Sequence, residues 1–359
     1  MTAAAAVAST LAARLHGRGD VRAGTEPVAN RGPGEVLIQP TAVGLCGSDL
    51  HWYEDAGIGE TRLARPLVLG HEFAAVIAEG PRTGERVAVD PADPCGSCPT
   101  CLAGNENLCL AVRFAGHGTT DGALRTVMPW PERLLRRLPD ALSDDEGALL
   151  EPLGVALHAL DLAHVAVGSR VGIYGSGPIG LLLVQLARLA GASSVVATDV
   201  LAHRVEAAHA FGADEAFVVD DADDSQDDAM TDGRLAARAA TVDVAFEAAG
   251  SDGAVSDAIA AIRPGGRVVL AGIPGSDRTT FPAGAARRKG LSFLVARRMV
   301  AADLDRAIEL AGSGRVRLAP LITERFPLDR VADAFAALAT RRGLKVIVNP
   351  GAAVPPEVA

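Results

Sequence analysis

Between about Val155 and Lys289, short and nearly unbroken apolar runs alternate with segments whose apolar residues recur at helical intervals, and no other feature restricts the fold as much. The runs are Arg170 to Tyr174, Ser194 to Thr198, Val242 to Phe246 and Arg267 to Ala271. Pro178 to Ala190, Ala202 to Phe211 and Gly253 to Ile262 lie between or beside them with helical periodicity. Strands apolar on both faces belong to a parallel sheet covered by helices. The expectation is an α/β fold with a doubly wound parallel sheet of the Rossmann type.

The first of these runs leads directly into Gly175-Ser-Gly177-Pro178-Ile179-Gly180. Glycines so placed allow a tight turn and close backbone approach, and the amides of the helix opening at Pro178 can then face a pyrophosphate. Asp199 ends the next strand, where a carboxylate can bond both ribose hydroxyls and repel a 2′-phosphate. That favours NAD over NADP, with a plain turn aspartate as the alternative. Arg204 follows on the next helix, where it can border the adenosine ribose.

The preceding ~150 residues have a different texture. Gly and Pro clusters separate short apolar stretches such as Val36 to Ile38 and Arg86 to Val89, which points to an irregular, largely β region. With 359 residues, the chain has room for about two domains. Beyond Lys289 a further strand, helix, strand, helix, strand passage ends at Leu344 to Val348, long enough to return and complete the first domain. The expected division is residues 1–152, then 153–290 for the nucleotide domain, then 291–359 as the returning segment. Met1 to Ser9 reads as a frayed tail without the basic start of a secretory signal. The acidic run Asp220 to Asp232, which lacks the Gly and closing Glu of a calcium loop, reads as a solvated surface loop.

Charge narrows the function classes. Lys+Arg 34 against Asp+Glu 44 leaves a net charge of -10, which argues against a nucleic-acid binder. No apolar stretch has the length to span a bilayer, so a membrane protein is not expected. The 5 cysteines are too few for a secreted disulfide scaffold. Four of them, Cys95, Cys98, Cys101 and Cys109, form a lobe over residues 91–110 whose short spacings suit a single tetrahedral zinc. Four thiolates leave no open position, so such a metal would be structural. A disulfide pair or unrelated free thiols are the alternatives.

The fifth, Cys46, belongs to Cys46-Gly-Ser48-Asp49-Leu-His51, and Gly70-His71-Glu72 follows at a distance a loop or hairpin can close. Thiolate, imidazole and carboxylate are the ligand types of a catalytic zinc that keeps a place for water or substrate. Singly, each residue is as compatible with packing or an ordinary surface role. With Glu151-Pro-Leu, where the chain enters the parallel-sheet unit, they converge on a domain boundary, the usual place for an active site.

Taken together, these motifs and Gly343-Leu-Lys-Val resemble the zinc-dependent medium-chain dehydrogenases, in particular the sorbitol or polyol branch, from about Leu11 to Val348. The resemblance implies a GroES-like, mostly β catalytic domain built from both chain ends and a central NAD-binding domain. It implies Cys46, His71 and Glu72 as catalytic zinc ligands, with Glu151 holding the zinc-bound water or substrate hydroxyl or exchanging with Glu72. One thiolate and one carboxylate neutralise Zn²⁺, so a second carboxylate ligand would make the site anionic. Ser48 would accept the alcohol proton and His51 would receive it onward, with Asp49 orienting His71. Trp52 and Arg297 match substrate-contacting positions, and Arg298 stands where the branch has an aromatic residue. The implied activity is NAD-dependent oxidation of a secondary alcohol, polyol or cyclitol, to a ketone, by a cytoplasmic homodimer or homotetramer. A threonine-type or other zinc alcohol dehydrogenase is the enzymatic alternative, and a noncatalytic nucleotide-binding relative the other.

Overall fold

The computed structural model describes residues 8–219, 241–275 and 278–351, so the acidic run Asp220 to Asp232 lies outside the described residues. The chain divides into two compact units, one of Met1–Glu151 with Leu304–Ala359, the other of Pro152–Asp303.

In the first unit the strand Glu35–Gly44 is the centre of the main sheet. Glu72–Ile77 pairs antiparallel along one edge of it, and Arg86–Val89 and Leu135–Arg137 follow outward. On its other edge lies Lys345–Asn349, antiparallel through Ile347↔Gly44 and Val348↔Val43, and then Ile322–Pro327. The end of the described chain therefore sits beside a strand from its first eighth, as the returning segment requires. Ile38, Val43, Phe73, Ile77, Val87, Phe335 and Val348 share one buried cluster, so the core crosses from the early strands to the late ones.

Among the described residues, the second unit has six parallel strands with Arg170–Tyr174 and Val242–Glu247 at the middle. Ser194–Asp199 and Glu215–Val218 extend one side; Ile262–Leu270 and Ser292–Val295 extend the other. Chain order thus reverses between Arg170–Tyr174 and Val242–Glu247, the switch point at which a doubly wound sheet opens a crevice. The helices Pro178–Leu189 and Ala202–Phe211 carry the expected periodicity. One boundary needs correcting. A return was expected from residue 291, but Ser292–Val295 is the outermost strand of the parallel sheet, and the first unit resumes only at Leu304. An apolar strand that pairs next to its predecessor in sequence stays with it.

No helix among the described residues is long and apolar enough to cross a membrane.

Candidate active site

Local capping starts the site. Cys46 is the residue before the helix Gly47–Asp55, and Asp49, three positions on, folds back so that its Oδ2 accepts the Cys46 N–H at 2.9 Å. A carboxylate at that position satisfies an otherwise orphaned helix N-terminal amide. Its Oδ1 accepts the Gly70 N–H at 3.3 Å and lies 3.5 Å from His71 Nδ1. One buried side chain thereby ties Cys46 to His71. The His71 Nε2 is turned the other way, with Ser48 Oγ 3.3 Å from it.

Glu72 opens the strand Glu72–Ile77 opposite Gly44. A side chain at Gly44 would strike the Glu72 carboxylate, so glycine is what gives that carboxylate room. Both of its oxygens accept from Lys345 Nζ, at 2.9 and 2.6 Å, and Lys345 also donates to Leu45 O at 3.1 Å. Lys345 and Glu72 are each about fully buried, at 2% and 1% exposure. Ligand atoms of Cys46, His71 and Glu72 all lie within 4.8 Å of one another; Glu151 is not in that group.

The titration of these groups shows what the cluster accepts. Burial opposes a charged His71, but Asp49 and then Cys46 outweigh it and hold its pKa well above the ordinary histidine value. The donor set of sulfur, nitrogen and oxygen fits zinc. Burial pushes Glu151 up to about 8, with His71 and Lys345 lowering it and Glu72 and Asp90 raising it. Lys345 also revises the charge count: its ammonium offsets Glu72, so a divalent cation with the Cys46 thiolate and the Asp49 carboxylate would leave the cluster neutral.

Other predicted residues fall in different settings. His51 is half-buried one turn after Ser48, its Nδ1 3.9 Å from Asp55 Oδ2. Trp52 is 1% exposed and packs in the core of the first unit, with His117 edge-on at 5.5 Å. Phe114, 5.4 Å from the His71 ring, was not anticipated. Neither was Lys345, although its motif was noted. Arg297 is exposed, and Arg298 is half-buried with a left-handed φ of 56°. Next to them Met299 fills the space beside Gly154, where a Cβ would strike its sulfur.

In the lobe, Cys98 Sγ lies 3.4 Å and Cys95 Sγ 4.0 Å from Cys101 Sγ, and ligand atoms of all four cysteines fall within 4.8 Å of one another. Tetrahedral zinc with bonds of ~2.3 Å separates its sulfurs by about 3.8 Å. The cysteines are free thiols, so the disulfide alternative is not realised. The Thr100 hydroxyl pulls Cys98 down to about 6, while burial pushes Cys101 up to about 12.

In the parallel sheet Gly175 has φ 104°, and a Cβ there would lie 2.6 Å from Ala249 N. Gly180 packs its helix on the turn, with Gly175 O occupying the place of a Cβ. Gly177 caps the helix, followed by Pro178 and Ile179 in its first turn. Buried Asp199 accepts from Ser176 N at 2.8 Å and Leu201 N at 2.9 Å, and Arg204 Nη1 lies 3.8 Å from it.

A dinucleotide fingerprint at a switch point, together with half-buried Cys46 and buried His71 and Glu72 gathered in a separate β unit, defines a nucleotide- and metal-using oxidoreductase. Comparisons with known proteins agree. Residues 32–140 match the alcohol dehydrogenase GroES-like domain and 178–313 the zinc-binding dehydrogenase model. A probable D-xylulose reductase A of Neosartorya fischeri is 35% identical over 357 residues, covering 97% of this chain and 99% of that protein. Sorbitol dehydrogenase of Bacillus subtilis is 33% identical over 94% of this chain and 97% of its own. Among solved structures, L-idonate 5-dehydrogenase of Escherichia coli superposes with a TM-score of 0.85 at 28% identity, covering 95% of this chain and 98% of that one. The chain belongs to the zinc-binding, medium-chain dehydrogenase family.

Proposed function

We propose that the protein oxidises a secondary alcohol of a polyol or cyclitol to the ketone, with NAD as hydride acceptor, zinc held by Cys46, His71 and Glu72, and a second zinc in the four-cysteine lobe. The observation that carries this reading is the trio of half-buried Cys46 with buried His71 and Glu72, whose ligand atoms lie within 4.8 Å of one another and which Asp49 and Lys345 hold in place. When bound, zinc supplies the Lewis acidity that makes an alcohol hydroxyl release its proton near neutral pH.

The chain's own residues do the rest. Ser48 Oγ, 3.3 Å from His71 Nε2, accepts that proton, and half-buried His51 on the same helix passes it to solvent. Glu151 holds the reacting hydroxyl or the water it displaces. Arg297 and Arg298 supply guanidinium donors to further hydroxyls, which a polyol has and a simple alcohol lacks. Gly175, Gly177, Gly180 and Asp199 receive the nucleotide, with Arg204 beside the ribose. The relatives named for polyol and sugar-acid dehydrogenation support that substrate class. We further place the enzyme in the cytoplasm as a homodimer or homotetramer, on the family resemblance.

The test is steady-state NAD reduction against sorbitol, xylitol, inositol-type cyclitols and threonine, with zinc content measured alongside. Turnover on a polyol is expected. Activity confined to threonine favours the threonine-type alternative, and turnover unchanged after complete zinc removal overturns the mechanism. Asp199→Ala is expected to narrow the preference for NAD over NADP and also to raise KM for NAD, because the same carboxylate fastens the glycine turn at Ser176.

A further inference from the structure

The strand Val242–Glu247 ends on a buried carboxylate for which the zinc and alcohol chemistry has no use. Glu247 is 2% exposed and pairs in register with Tyr174, the last residue before the glycine turn. Its Oε1 accepts from Ala249 N at 2.7 Å and Gly250 N at 2.5 Å. Its main-chain oxygen accepts from Ala271 N at 2.8 Å and Gly272 N at 3.0 Å. The loop leaving Val242–Glu247 and the loop leaving Ile262–Leu270 are therefore fastened to one residue.

Backbone packing at glycines makes the fastening tight. A Cβ at Gly272 would lie 2.7 Å from Glu247 Oε2, and one at Gly175 2.6 Å from Ala249 N. Gly250, at φ 75°, has Ile273 O against the place of its own Cβ. Burial pushes the Glu247 pKa up, while N–H donors from Gly250, Ala249, Ser251 and Gly272 act to lower it. A carboxylate is suited to this position because it only accepts, whereas a carboxamide would turn hydrogens toward some of these donors.

The position in the sheet says what the two loops serve. Asp199 marks the adenosine side at the end of Ser194–Asp199, and Gly175–Gly180 marks the pyrophosphate at the end of Arg170–Tyr174. Continuing across the switch point, the remaining half of a dinucleotide lies over the ends of Val242–Glu247 and Ile262–Leu270. We infer that Glu247 is a positioning residue for the nicotinamide half of the cofactor, its carboxylate holding loop 248–251 in the shape against which that half binds, beside the loop 271–273 that its main-chain oxygen fastens. The inference rests on the nucleotide reading above and goes beyond it.

The experiment compares Glu247→Gln with wild type in the full, zinc-loaded protein, using two probes: NADH, followed by its fluorescence, and ADP, which lacks the nicotinamide riboside, followed by calorimetry. NADH is expected to bind about tenfold more weakly to the variant. ADP affinity is expected to stay within about twofold, and KM for NAD to rise in step with the NADH constant while KM for the alcohol moves less. Unchanged NADH affinity overturns the inference. So does an equal loss for NADH and ADP, which would mean that Glu247 merely holds the unit together. A wild type that binds neither probe overturns the nucleotide reading itself. Should Glu247→Gln not fold, Glu247→Asp, which keeps the charge on a shorter stem, is read by the same comparison.

Discussion

The two clusters of metal-ligating side chains are built in opposite ways. In the lobe, all four cysteines come from one short stretch whose only regular pieces are the one-turn helix Pro99–Leu102 and the turn Glu106–Leu108. Its leucines face outward, Leu102 at 75% and Leu110 at 96% exposure, so the lobe has almost no apolar interior of its own. At the other cluster, Cys46, His71 and Glu72 come from separate strand and helix ends. Asp49 and Lys345, buried at 0% and 2% exposure, hold them from behind. A metal in the lobe would substitute for a core, whereas a metal at Cys46, His71 and Glu72 would enter a place the core has already shaped. The same ion can therefore be structural in one region and reactive in the other, depending on what already holds its ligands.

The sharpest way to break this comparison is to remove one sulfur from each region. Cys46→Ser is expected to lower kcat on the order of a thousandfold, the loss of several kcal/mol of metal-assisted stabilisation. Lobe zinc and the thermal midpoint should remain near wild type. Cys98→Ser should instead lose lobe zinc and lower the midpoint while leaving residual turnover in the molecules that stay folded. Metal analysis and calorimetry on both variants decide it. If both changes remove activity and stability to the same degree, the regions are not separate in function.

Lys345→Met has the next largest expected effect. In the metal-free protein it leaves Glu72 buried without a partner, a loss on the order of 3 kcal/mol. With zinc bound, Glu72 has a second cation to answer to and the loss should shrink. Denaturant unfolding with and without chelator measures the difference. An equal loss in both states would mean that Glu72 belongs to Lys345 alone and is not a ligand.

These pairs also mark where sequence reading stops. The parallel sheet was legible because its strands are apolar on both faces and its glycine turn immediately follows Arg170–Tyr174. The trio was legible from residue type, and Asp49 from its place between Cys46 and His51. Lys345 and Glu72 are 273 positions apart and meet because Lys345–Asn349 and Glu72–Ile77 flank the same strand, Glu35–Gly44. No local spacing encodes adjacency across a sheet. The charge count at the site was incomplete for the same reason. The burial of Trp52 was not legible, because a helix of nine residues gives too little periodicity to tell which face its ring takes. The boundary at residue 291 was misplaced because Ser292–Val295 pairs with its sequence neighbour, a choice that apolar content alone does not reveal.

The smallest predicted effect concerns the joint between the two regions. Asp90 leaves the strand Arg86–Val89 and leads toward Cys95, and burial pushes its pKa up to about 6. An acid whose folded pKa exceeds its unfolded value near ~3.9 favours the fold while protonated, and that advantage is lost as pH rises from about 4 through 6. Above that window the native state carries a buried charge at a cost on the order of 2 kcal/mol. Asp90→Asn keeps the oxygen that accepts Ala92 N at 2.9 Å and removes the charge. The joint itself is held through the Asp90 main chain, whose N–H donates to Leu134 O at 3.0 Å and whose O accepts the Trp130 indole Nε1–H at 2.9 Å, and the substitution leaves both alone. The variant should therefore melt a few degrees above wild type at pH 8, with the gap closing by about pH 4 and lobe zinc unchanged throughout. A lower midpoint at pH 8 together with loss of lobe zinc would show that the Asp90 charge supports the lobe, and that the metal is not its main source of order.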